Sequence, residues 1–223
     1  MTSTTTLAEL ATTHPAASRV FRRRGLDFCC GGRRPLADVC ETRGLDADAI
    51  LGEIAAEEAA VDLPRWDQRP LPELVAFIVD RYHRSLRAEL PELVALAARV
   101  ESRHGDKPTA PRGLRAHLAL MEQAVASHLE KEEQVLFPML LAGAAGLAAS
   151  PIRVIEEEHD DHGRNLARVR ELTADLTPPP EACPTWRALY LRLGALEAEL
   201  MDHIHLENNV LFPRALGEME AGQ

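Results

Sequence analysis

Two blocks of the sequence carry the same ligand-type side chains at the same spacing. His128-Leu-Glu-Lys-Glu132 leads into Val135-Leu-Phe-Pro138, and His203-Ile-His-Leu-Glu207 leads into Val210-Leu-Phe-Pro213, with an offset of 75 residues throughout. On a helix, residues four apart stack on one face, so each block presents an imidazole beside a carboxylate. His83 and His159 stand in the two preceding helical patterns, offset by 76 residues. The arrangement reads as two copies of one helical hairpin, each supplying two histidines and one glutamate. A lone helical His is ordinarily a surface or core residue, and a single His-x-x-x-Glu is a common surface pair. The joint pattern is far more specific, because four histidines fall one per helix and two glutamates follow at identical spacing.

Nitrogen and oxygen donors of this kind suit a first-row metal such as iron or manganese better than an iron–sulfur cluster, which needs thiolates. Glutamate has two oxygens and can bridge two ions, which in two-metal sites stand about 3.5–4 Å apart. The candidate ligands are therefore His83, His128, Glu132, His159, His203 and Glu207 around two metals. On an ideal helix Val135 and Val210 lie seven residues past their histidines and are expected to form an apolar floor. Phe137 and Phe212 are expected on the opposite side. Glu156 and Glu158 precede His159 and are candidates for supporting the ligands from behind, with an extra ligand as the alternative. His14, His104, His117, His162 and His205 have no counterpart in the repeat, so their default reading is packing; His117, three turns before His128, is also placed to line an access path.

A second chemical feature is Cys29-Cys30-Gly31-Gly32. Adjacent Cα atoms are about 3.8 Å apart, shorter than a normal disulfide spans, so two free thiols are expected. Arg19, Arg22, Arg23, Arg24, Arg33 and Arg34 surround the pair, and positive charge favours the reactive thiolate. Cys29 and Cys30 are therefore candidate reactive residues, with small buried turn residues as the alternative. Cys40 and Cys183 are isolated and expected to pack.

Helices must position these groups. Val61 to Pro72 carries three prolines and little periodicity, and reads as a linker over residues 61–72 between a small domain at 1–60 and a larger one at 73–223. Four helical patterns follow: from Leu71 to about Arg103, from about Leu114 to Leu141, from about Pro151 to Leu176, and from about Thr185 to Leu216. Pro91 predicts a kink or break in the first. Short loops between four helices imply an antiparallel four-helix bundle, so the fold class is all-α, with a small N-terminal helical domain.

The bulk composition agrees. Hydrophobic residues make up 46% of the 223, enough for a core, whereas aromatics are only 4%, which favours helices over sheets. A formal charge of −10 argues against nucleic acid and anionic membranes as partners. No stretch has the length of a membrane span, and the N-terminus lacks a signal-peptide pattern, so a cytoplasmic location with reduced cysteines is expected.

Together these residues resemble the iron–sulfur cluster repair di-iron family, also called repair of iron centres. The resemblance is carried by Phe21 to Gly32 (FRRRGLDFCCGG), Arg81-Tyr-His83, Glu158-His159-Asp160, Pro178 to Cys183 (PPPEAC) and the His128 and His203 blocks. The bundle is similar to hemerythrin. The resemblance implies two non-haem irons, oxo- or hydroxo-bridged as well as carboxylate-bridged by Glu132 and Glu207, and a role for the cysteine pair. It implies repair of clusters damaged by nitrosative or oxidative stress, by iron delivery or nitric oxide handling. Damaged iron–sulfur proteins are then the partners, and nitric oxide or oxygen the small ligands. His162 and His205 depart from the residues expected there. The alternatives are a nitric oxide reductase producing nitrous oxide at the diferrous site, and a hemerythrin-type oxygen-binding or sensing module.

Overall fold

The computed structural model describes residues 1–61 and 63–217. It is helical, and no strand occurs among the described residues. The chain divides into two compact units. The first comprises residues 1–76, 140–149 and 201–217. The second comprises 77–139 and 150–200.

The first unit begins with four helices, α1 (Leu7–Thr13), α2 (Ala16–Arg23), α3 (Leu36–Arg43) and α4 (Ala47–Ala60). Local chemistry sets their ends. Thr6 caps α1 by accepting the Glu9 N–H, and Asp46 caps α4 by accepting from Asp48 and Ala49. Gly44 ends α3 in the left-handed conformation. Leu10, Val20, Phe21, Leu26, Phe28, Ile50 and Ile54 form their shared core, and Met201 packs against it. Arg22 pairs with Asp202, and Arg214 donates to the Trp66 carbonyl at 2.8 Å. The segment beginning at Met201 is thereby held to the N-terminal helices.

Long helices dominate the second unit. They are α6 (Arg84–His104), α7 (Leu114–Lys131), and most of α9 (Ala145–Leu172) and α10 (Pro184–Leu206). The third starts earlier than the prolines and glycines suggest and carries Pro151 inside it. Buried positions recur every three or four residues: Leu86, Leu90, Leu93, Ala97 and Val100 on α6, and Leu114, Leu118, Met121 and Val125 on α7. Ile152, Ile155, Leu166 and Val169 do the same on α9, and Leu189, Leu193, Leu196 and Leu200 on α10. Each buried Leu, Ile, Val or Met among them contributes about 1.5–3 kcal/mol on burial.

Contacts close these helices into a ring with antiparallel neighbours. Glu101 accepts the Arg115 N–H and Glu133 meets His83, so α6 and α7 run oppositely. His117 with Asn165 and His128 with Glu158 fix α7 against α9. Glu197 takes a two-pronged contact from Arg170, and Arg192 grips Glu89 while Glu199 meets Ser85. This is the antiparallel four-helix bundle expected from the sequence. Pro91 does not break α6; it lies on the exposed face, where water can satisfy the carbonyl freed by the missing N–H.

Among the described residues, π-helical turns occur at Val79–His83, Glu132–Leu136 and Glu207–Leu211. The first joins α5 (Leu71–Ile78) to α6. The second leads into α8 (Phe137–Leu141), and the third into α11 (Phe212–Ala215). Phe137 N–H bonds the Glu132 carbonyl, and Phe212 N–H that of Glu207, five residues back in each case. Pro138 and Pro213 explain the last two turns. Each ring would strike the carbonyl four residues before it and has no N–H to donate, and the wider turn relieves both.

Candidate metal centre

The histidines occupy core positions of the bundle stripe. His128 falls seven residues after Met121, and His159 falls four after Ile155, each where a buried aliphatic would otherwise sit. Within the second unit, His83, His128, Glu132 and His159 are all buried. Glu132 is their focus. Its Oε2 is 3.5 Å from His83 Nε2, whereas its Oε1 is 3.3 Å from His128 Nε2 and 3.9 Å from His159 Nε2. The two oxygens of one carboxylate thus face different imidazoles. His128 and His159 bring their Nε2 atoms to 3.1 Å, close enough for a single cation to serve both.

Carboxylates behind the rings set their orientation. His83 Nδ1 donates to Glu133 at 2.8 Å, and His128 Nδ1 donates to Glu158 at 2.9 Å. With the proton on Nδ1, the Nε2 lone pair points at Glu132. Arg87 also donates to Glu133, at 2.7 Å, and Lys131 pairs with Glu158. Burial raises the Glu133 carboxyl, but the bonds from Arg87 and His83 outweigh it and hold the group below the usual carboxylate range. Buried imidazole nitrogens converging on a carboxylate, with their far sides fixed, form a donor set that fits a divalent first-row metal.

In the first unit, His203 and Glu207 are fully buried, and His203 Nε2 lies 2.9 Å from Glu207 Oε1. The turn beyond them faces the N-terminal helices. His205 is buried against Phe28, with ring centres 5.3 Å apart, and its Nδ1 accepts from Asn209 at 3.0 Å. Burial drives its pKa down to about 4, although bonds to the backbone of Ala11 and Phe28 act the other way. Asn209 also donates to the carbonyls of Phe28 and Cys29, each at 3.3 Å.

The cysteines are held by Asp27. Its Oδ1 accepts the N–H groups of Cys29 and Cys30, both at 3.1 Å, and its Oδ2 accepts that of Gly31 at 3.0 Å. The two sulfurs stand 3.7 Å apart as free thiols. Gly32 is required here, since a Cβ would lie 2.3 Å from the Phe28 carbonyl oxygen. The Cys29 thiol is pushed well up by its bond to Cys30, by burial and by Asp27. Four of the six nearby arginines pair with other carboxylates: Arg19 and Arg23 with Glu57, Arg22 with Asp202, Arg24 with Glu53.

Comparison with known proteins places the chain. The hemerythrin HHE cation binding domain matches residues 75–215, and a domain of unknown function, ScdA_N, matches residues 3–58. Proteins named iron–sulfur cluster repair protein YtfE, from Yersinia pseudotuberculosis serotype O:1b (strain IP 31758) and Yersinia pestis (strain Pestoides F), are each 47% identical over 211 residues. The match spans 94% of this chain and 96% of each relative. The chain belongs to this iron–sulfur cluster repair family. Its hemerythrin-type bundle is a cation-binding fold, and the buried His and Glu clusters are suited to hold a metal. Among the described residues, no helix is long and apolar enough to cross a membrane.

For this repair-family chain, several expectations need correction. Val135 is not a floor beneath the site; it is 51% exposed, and Leu136 and Phe137 are buried instead. Phe137 lies against His83 with ring centres 5.7 Å apart, not on the opposite side. The π-helical turn at Glu132 inserts one residue and rotates everything after it. In the second block Val210 is buried as expected, but so is Phe212. The hairpin repeat would group His83 with His128, yet His128 meets His159 of the other copy, because α7 and α9 are neighbours. Glu133 was missed, since its repeat counterpart is Asn208 and symmetry gave it no weight. His162 is buried with its ring 4.8 Å from that of His128. Its place on the α9 stripe, between His159 and Leu166, was the available signal. His117 packs as expected by default, within 3.0 Å of the Asn165 carbonyl.

Proposed function

We propose that the chain is a di-iron protein that repairs iron–sulfur clusters damaged by nitrosative or oxidative stress. His83, His128, Glu132, His159, His203 and Glu207 would hold two irons. One observation carries this reading: the two oxygens of buried Glu132 face different imidazoles, as a bridging carboxylate requires. The matched spacing of the His203 and His128 blocks supports including His203 and Glu207. The relatives' name, iron–sulfur cluster repair protein, supports the purpose.

Residues 1–60 would act as the cysteine-pair domain, 61–72 as a linker and 73–223 as the bundle. Bound iron would supply releasable metal and open positions for nitric oxide. The chain's own residues then have separable tasks. Glu133 and Glu158 fix the Nδ1 protons and hence the direction of the Nε2 lone pairs. Phe137 covers His83 and excludes water from that side. Cys29 and Cys30, in a turn held by Asp27, would present thiols for a repair step with damaged clusters.

The test uses an iron–sulfur dehydratase inactivated by nitric oxide. Iron-loaded protein should restore its activity faster than an equal amount of ferrous salt. Glu132→Leu should bind less iron and lose the effect. Cys29→Ala with Cys30→Ala should keep iron and repair poorly. Recovery no better than with the salt control would overturn the proposal. Gas analysis of the diferrous protein with nitric oxide separates the alternative: stoichiometric nitrous oxide without reactivation would make it a reductase instead.

A further inference from the structure

A second pairing of chemistry-bearing side chains lies apart from the candidate ligands, within the second unit. His104 ends α6, and its Nε2 is 3.2 Å from the sulfur of Cys183. The ring is buried and packs on Trp186, with centres 5.2 Å apart. Cys183 is its one hydrogen-bond partner among the described residues. Cys183 itself is half-buried. His83 and His104 are 21 residues apart on continuous helical backbone, about 30 Å at 1.5 Å per residue. The pair therefore cannot share in the Glu132 cluster.

Two further features surround the thiol. The Cys183 carbonyl accepts the Arg187 N–H at 3.0 Å, so Cys183 stands at the start of the 23-residue α10, where helix N–H dipoles favour developing negative charge. Arg187 also folds back, donating to the carbonyls of Ala182 and Pro180 at 3.0 Å each, and fixes a cation in the loop that carries Cys183. Cys29 and Cys40 differ. Both are buried, and both are pushed up, Cys29 first by its bond to Cys30 and Cys40 first by desolvation.

We propose that Cys183 and His104 form a thiol-exchange site that takes up low-molecular-weight disulfides of the glutathione class. Cys183 sulfur attacks one sulfur of the disulfide while His104 Nε2 accepts the thiol proton. The disulfide S–S bond breaks, its electron pair leaves on the second sulfur, and His104 returns the proton there. One S–S bond forms as one breaks, one thiol is consumed as one is released, and no other oxidant is needed.

The experiment incubates the reduced full chain with glutathione disulfide, quenches with acid, and reads the adduct at Cys183 by peptide mass spectrometry. Native protein should react at Cys183 at least about tenfold faster than urea-unfolded protein, although the unfolded thiol is fully exposed. His104→Gln should lower the native rate about tenfold or more, while His117→Gln leaves it unchanged; positioned acid–base groups commonly give more than this. A native rate at or below the unfolded rate overturns the proposal, as does a folded His104→Gln variant reacting like wild type. Should His104→Gln fail to fold, the native-to-unfolded ratio of the wild-type chain decides alone.

Discussion

Replacing Glu133 by Gln isolates what the carboxylate behind His83 contributes. The carboxylate receives the His83 Nδ1 proton at 2.8 Å and an Arg87 N–H at 2.7 Å on the same oxygen. Glutamine keeps an oxygen to accept from Nδ1, so the ring should hold its orientation. What disappears is the negative charge that makes Nε2 a better donor to metal. Partners of this kind are worth 10–100-fold in metal affinity, or about 1.4–2.8 kcal/mol. Glu158→Gln should do the same through His128. The two rings face different oxygens of Glu132, so the double variant should approach the product, roughly 10²–10⁴-fold, as an upper bound because both act through one carboxylate. Folding of the metal-free protein should change by less than about 1 kcal/mol, since both glutamates are partly exposed and their pairs with Arg87 and Lys131 are screened. Anaerobic titration of ferrous ion against a competing chelator measures the affinities, and urea unfolding measures the rest. Wild-type affinity in both single variants, with Glu132→Leu losing metal, would refute the argument that the Nδ1 partners tune the site.

Three other expectations follow from the packing. Leu136→Ala should destabilise the metal-free protein by about 2–5 kcal/mol in urea unfolding, and Val135→Ala by no more than about 0.5, because the π-helical turn buries the first and exposes the second. Gly32→Ala should cost about 1–3 kcal/mol, read as a lowered melting temperature, since the new methyl meets the Phe28 carbonyl oxygen and the Ala8 methyl. Glu207→Leu should lower iron content measured by metal analysis; full loading would remove Glu207 from the ligand set.

The sequence alone determined the helical class, the bundle and the ligand-type residues, because these depend on short-range periodicity. A His four residues before a Glu shares its helix face whatever the rest of the chain does. The apolar stripes and the free thiols at Cys29 and Cys30 were legible for the same reason. Only the tertiary structure decided which imidazoles meet. The repeat grouped His83 with His128, but helix adjacency joined His128 to His159. It also decided which side of a helix faces inward past Glu132, since one extra residue in a turn rotates the following side chains and put Phe137, not Val135, in the core. Thiol chemistry was likewise out of reach. Arg22, Arg23 and Arg24, close in sequence to Cys29, pair with Asp202, Glu57 and Glu53, whereas the bond to Cys30, burial and Asp27 set the thiol's environment. Spacing along a chain specifies local faces, and electrostatics depends on distances that only folding creates.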